Sequence, residues 1–197
     1  MPKIVDRDAR RAEFALAAAA VFAERGVTNT TISDIAKAAG AGQGTFYLYF
    51  DTKDDVVLAV AEQMADGMVA AIEAAVGTAD ASAVDKFLSL RDILSSFDAN
   101  PAAVELADFI HSPANRALHD RLAEHLATKL VALVEAIITQ GIAEGVFDVP
   151  DPHAAAWFVG GGLQSVELAG TRAADMPAGI AAATELALRA LGYKEPR

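Results

Sequence analysis

A chain of 197 residues that is 53% apolar and carries no cysteine has the means to bury on the order of 70% of its unfolded surface, which excludes a disordered chain and, with the thiols, excludes disulfides, thiolate metal sites and a cysteine nucleophile. Its net charge of −11, taken whole, argues against a nucleic-acid partner. The distribution of charge changes that reading: residues 1–53 hold seven basic and six acidic side chains, +1, and the remainder nine basic and twenty-one acidic, −12, as expected of a near-neutral module carried on an acidic body.

The opening "MPKIVDRDAR" is charged and has no apolar stretch, so no secretory signal is expected. The longest uncharged apolar runs, among them "AAAWFVGGGL" from Ala154, are shorter than the roughly 18 residues of a spanning helix. No membrane span and a cytoplasmic location follow as expectations. Along the chain the apolar residues keep helical period. In "RRAEFALAAAAVFAERG" Phe14, Ala18, Val21 and Phe22 share a face, and Gly26 stands at the C-terminal cap of a first helix. Thr31 with Asp34 three residues on forms a capping box for a second, short helix that ends at Gly40. A third short helix is expected over 43–49. Thr52 and Asp55 open a fourth, running to about Gly77. Further helices are expected from Ser82 to Phe97, Pro101 to His111, Pro113 to about Gly145, His153 to about Thr171 and Ala178 to Leu191, divided by "NP", "SP", "VPDP" and "MPAG". The fold class is therefore all-α with about nine helices. A three-helix helix-turn-helix module over 1–53 precedes a helical effector-binding and dimerisation body over 54–197.

The pair of short helices joined by "GAGQ" has the form of a helix-turn-helix, whose second helix enters the DNA major groove. Gly42 and Gly44 let its backbone approach the bases, although an interior glycine weakens a helix by about 1 kcal/mol relative to alanine. Phe46 and Phe50 are expected to lock this weak helix onto its neighbours, Tyr47 to offer its hydroxyl to a phosphate, and Gln43 to read a base edge. The basic residues Lys3, Arg7, Arg10 and Arg11 are expected either near the DNA backbone or a minor groove, or in a frayed terminus.

The block from Thr30 to Lys53, "TTISDIAKAAGAGQGTFYLYFDTK", resembles the DNA-binding segment of TetR-type (tetracycline-repressor) transcriptional regulators, and "FALAAAAVFAERGVTNTT" resembles that family's first helix. "IA..AG", "GTFY.YF" and the following Lys53 arrive in the family's order and spacing. The resemblance implies a homodimer that binds a palindromic double-stranded DNA operator and a small-molecule effector in its variable body. It also implies that Thr30 or Thr31, Tyr47, Tyr49 and Lys53 hold phosphate, with Gln43, Gly44 and Thr45 nearest the bases. Two positions depart from the family pattern: glycine at 42, where a small hydroxyl residue is common, and tyrosine at 49, where histidine is common.

The body contains no phosphate loop, HExxH or nucleophile elbow, and His119 and His125 lie six residues apart, on different faces of one helix. Neither a metal nor a cofactor is expected, nor catalysis. Apolar and aromatic side chains with a few polar ones suit an effector pocket: Phe87, Leu90, Leu94, Phe97, Leu106, Phe109, Ile110 and Trp157, with Arg91, His111 and Gln164. The mid-helix run Gly160, Gly161 and Gly162 invites close approach of a partner helix. Together with an apolar face of Ala183, Leu186, Ala187 and Leu191, it places the expected dimer interface on the last two long helices. The expected function is a ligand-released repressor, the alternative a small-molecule binding protein of the same fold whose DNA binding has lapsed.

Overall fold

The computed structural model describes residues 6–96, 101–168 and 175–193. Among these are nine α-helices and no strand: α1 (Arg7–Arg25), α2 (Ile32–Ala38), α3 (Gln43–Phe46), α4 (Lys53–Val76), α5 (Ala83–Ser95), α6 (Pro101–His111), α7 (Arg116–Ala143), α8 (Pro152–Leu168) and α9 (Met176–Ala190). The all-α expectation holds. Caps account for many of the boundaries. Asp6 accepts from the amides of Asp8 and Ala9 to start α1, Thr31 and Asp34 form the reciprocal box of α2, and Ser82 accepts from the Asp85 amide at α5. Pro113 opens a single 3₁₀ turn before α7, so the expected long helix begins three residues late. Phe97 and Thr171 lie outside the described residues.

The chain forms two compact units that do not follow chain order. The first comprises residues 1–64 and 100–122, so α6 and the start of α7 join the N-terminal helices. Its core holds Phe14, Phe22, Ile35, Phe46, Phe50, Val57, Leu106 and Ile110. Gly26, which ends α1, is buried at φ 78°, ψ 156°, a conformation that only glycine adopts readily. A Cβ there would also fall on the carboxylate of Glu105 in α6. Gly26→Ala should therefore destabilise the fold by about 1–3 kcal/mol, read as a lowered midpoint in urea; an unchanged midpoint would show that the turn relaxes freely.

The second unit comprises residues 65–99 and 123–197, centred on Ile72, Phe87, Leu90, Val134, Ile137, Ile138, Val159 and Leu191. The outward face of α9 differs from expectation. Ala187 and Leu191 are buried in this unit's own core and only Leu186, 65% exposed, points outward, with Ala183 half-buried. On α8, Trp157 and Phe158 are exposed, as are Gly161 and Gly162, where an added Cβ would meet nothing within 4 Å. By length and composition Pro113–Ala143 could cross a membrane, which a search for uncharged runs passes over. Part of its apolar surface is core, Leu118 in the first unit and Val131, Val134, Ile137 and Ile138 in the second, while Ile142 is exposed.

Candidate nucleic-acid interface

The turn between α2 and α3 is built by a Schellman cap. Gly40 takes φ +65°, its N–H donates to the Lys37 carbonyl (3.1 Å) and the Ala41 N–H reaches back to that of Ala36 (2.9 Å). Capping at the other end of α2 is equally explicit. Thr31 Oγ1 accepts from the Asp34 amide at 3.2 Å, and Asp34 accepts from the Thr31 amide at 3.0 Å. The Thr31 hydroxyl and then its amide hold the Asp34 carboxyl below its ordinary pKa. The same device, Thr52 with Asp55, opens α4; burial pushes the Asp55 carboxyl up, and the Thr52 hydrogen bonds together with the Arg121 guanidinium bring it below its ordinary pKa.

α3 itself is shorter than expected. α-geometry ends at Phe46, and residues 47–49 continue as turns held by Leu48 N–H to Thr45 O (3.2 Å) and Tyr49 N–H to Phe46 O (2.9 Å). A four-residue helix with no side-chain N-cap has almost no intrinsic stability. Packing supplies it. Phe46 and Phe50 are buried with rings 5.4 Å apart, and each meets the edge of Phe14 from α1, at 5.8 and 6.5 Å.

The arginines at the start of α1 tie the segment down from outside. Arg7 Nη2 donates to Leu48 O (3.2 Å), Arg10 Nη2 to Ala39 O (3.3 Å), and the Arg10 and Arg11 guanidinium groups lie 5.2 and 4.7 Å from the ring centroids of Phe14 and Phe50. They are thus part of the module rather than a frayed arm, while Lys3 lies outside the described residues. The i,i+4 spacing of Arg10 and Phe14 was a visible signal for one of these contacts; no local spacing announces Arg11 on Phe50.

The expected DNA-contacting residues separate by burial. Thr31, Gln43, Gly44 and Tyr47 are exposed, Tyr47 by 49%, and Thr45 is half-buried. Tyr49 is half-buried with its ring 5.5 Å from Phe14. Thr30 turns the other way: it is 2% exposed and its hydroxyl donates to Gly26 O at 2.7 Å, so of the two threonines only Thr31 stands at the surface. Lys53 is half-buried, and its ammonium donates to Val27 O (2.7 Å) and Thr30 O (3.0 Å), tying the start of α4 to the loop before α2. Leu48, which residue type alone did not single out, is 64% exposed.

Gly42, the N-cap of α3, and Gly44 are informative because neither is required by a strained backbone or a close neighbour. Neither has positive φ, and a Cβ on either would meet nothing within 4 Å. Bare backbone therefore lies open on a rigidly mounted surface bearing an amide, a phenol and an aliphatic side chain.

Residues 16–60 match the family model described as bacterial regulatory proteins, tetR family. The chain belongs to the TetR family. Among curated relatives, the uncharacterized HTH-type transcriptional regulator YvdT of Bacillus subtilis is 50% identical over 48 residues, 24% of this chain and 25% of that protein, so the match spans about a quarter of that relative's length. The fatty acid metabolism regulator protein of the same organism is 31% identical over 132 residues, 66% of each chain. A TetR-family transcriptional regulator from Pectobacterium atrosepticum superposes with a TM-score of 0.76 at 25% identity, covering 99% of this chain and 100% of the other. Proteins of this TetR type are named as regulators of transcription, not as enzymes.

The body residues expected to bind an effector are divided between the units. Phe109, packed against the first core, and half-buried His111 belong to the first. Phe87, buried at the edge of Phe147 (6.3 Å), Arg91, paired with Asp92 at 2.7 Å, and half-buried Gln164 belong to the second. Trp157 also lies in the second unit, but 48% exposed, its Nε1 donating to His153 Nε2 at 3.1 Å; an amphipathic ring on an outer helix face is not a pocket wall. His153 in turn pairs with Glu135 at 2.7 Å, which raises its pKa. The fold also brings together His111 and His119, whose rings lie 5.2 Å apart; burial and then the His119 charge lower the pKa of His111. Among the described residues no three histidine, aspartate or glutamate side chains are grouped to hold a metal ion.

Proposed function

We propose that this TetR-family protein is a ligand-responsive repressor that binds a palindromic operator as a homodimer and is released by a small molecule. The observation that carries the reading is the open backbone at Gly42 and Gly44 beside exposed Gln43 and Tyr47. Gly42 also stands at the N-cap of α3, but Gly44 has neither a positive φ nor a packing neighbour, and close approach to a duplex gives it a purpose. Gln43 would read a base edge, with Gly44 and Thr45 beside it, and Tyr47, Thr31 and the N-terminus of α2 would hold phosphates. Tyr49 and Lys53 would act mainly by positioning. The exposed Trp157, Phe158, Gly161 and Gly162 of α8 and Leu186 of α9 support dimerisation through these helices. Within the second unit Phe87, Arg91 and Gln164, and separately within the first Phe109 and His111, remain candidates to meet an effector. An effector that lowers operator affinity would have its own affinity lowered by the operator by the same factor. A cytoplasmic location follows from this role.

Anisotropy with a duplex selected from a random pool, read between 50 and 200 mM salt, tests the reading. Phosphate contacts should make log affinity fall linearly with log salt; a flat line would favour a binding protein that has lost its DNA function. Lys53→Ala separates two roles in the same assay. As an internal tie to Val27 and Thr30, Lys53 should lower the urea midpoint when removed and leave the salt slope unchanged, whereas a phosphate ligand would lower the slope by about 1.

A further inference from the structure

Leu48 is an aliphatic side chain left 64% exposed in the recognition segment, next to Tyr47 and outside the module's core cluster. Its backbone is fixed on both sides, since its N–H donates to Thr45 O and its carbonyl accepts from Arg7, each at 3.2 Å. The side chain is therefore held outward by a rigid mount rather than displayed by a loose loop. Neither Gly42 nor Gly44 carries a side chain to cover it, and its contribution to the core is slight. A lone exposed leucine is ordinary on a protein surface. This one stands on the surface that would face DNA, where the major groove offers one apolar feature, the C5-methyl group of thymine.

We infer that Leu48 is a specificity-determining residue that selects thymine in each half-site by packing its methyl groups against the C5-methyl in the major groove. The inference rests on the operator-binding reading and adds to it a base preference at one position. Gln43 supplies hydrogen bonding and Leu48 apolar contact, so the two would read neighbouring bases by different chemistry. Burying one methyl group corresponds to about a fourfold gain in affinity.

The test uses the full chain and a duplex recovered by selection from a random pool, with each thymine replaced in turn by deoxyuridine, which lacks only the C5-methyl. In the wild type, one replacement per half-site should weaken binding about fourfold. Leu48→Ala, which removes the contact from both half-sites of the dimer, should bind the thymine duplex roughly sixteenfold more weakly, the two fourfold losses multiplied, and be indifferent to that replacement, while its urea midpoint stays at the wild-type value. A selected half-site without thymine, or a deoxyuridine profile identical in wild type and Leu48→Ala, would overturn the inference and leave the regulator reading standing. Failure of the wild type to enrich any duplex would overturn both.

Discussion

Phe14→Ala should destabilise the protein by about 3–5 kcal/mol and abolish operator binding, although residue 14 never approaches the DNA-facing surface. Phe14 is fully buried and supports the underside of the recognition segment through Phe46, Phe50 and Tyr49. α3 has four residues and no side-chain cap, far below the ~12–15 at which an isolated helix becomes even marginally stable in water, so its existence depends on this packing. Hydrogen exchange of residues 43–50 together with urea unfolding checks the claim. Exchange in this segment should accelerate more than in α1. If the segment stays as protected as in the wild type, the Arg7, Arg10 and Arg11 contacts support it without the aromatic cluster.

Gly44→Ala should move stability and binding in opposite directions. Alanine in a helix is favoured over glycine by up to about 1 kcal/mol, and at position 44 it meets no neighbour, so the urea midpoint should rise or stay level. A methyl group added to a backbone that lies against base edges should instead weaken operator affinity by roughly tenfold or more, about the effect of one mismatched base pair. A variant that is both more stable and equally tight in DNA binding would remove the functional reason for glycine and with it the main support for the interface. A loss of stability would point to an internal constraint on Gly44 that the open space around it does not reveal.

The parts of the fold legible in the sequence are those set by local chemistry. Thr31 with Asp34, Thr52 with Asp55 and Gly26 announced helix ends because capping needs specific residues at fixed spacing. The short helix after the turn was read too long because its period continues through Tyr49, while in three dimensions the chain loosens after Phe46 to seat Phe50 in the core. Long-range pairings were not legible. Nothing near Lys53 in sequence indicates that its ammonium reaches Val27 and Thr30, and the helical period of α9 does not tell which apolar face, Ala187 with Leu191 or Leu186, packs inward. The same limit explains Trp157. An aromatic residue among apolar neighbours reads as core, and only the packing of α8 shows it on the outer face.

The most direct test of sequence-specific recognition is selection of bound duplexes from a random pool, run in parallel on the wild type and a Gln43→Ala, Tyr47→Ala variant. Two symmetric half-sites with centres one helical turn apart, about 10–10.5 base pairs, or a multiple of it, should emerge for the wild type and fail to enrich with the variant. Enrichment of the same sequence by both proteins would place recognition elsewhere on the chain, and no enrichment by the wild type would contradict its reading as an operator-binding regulator.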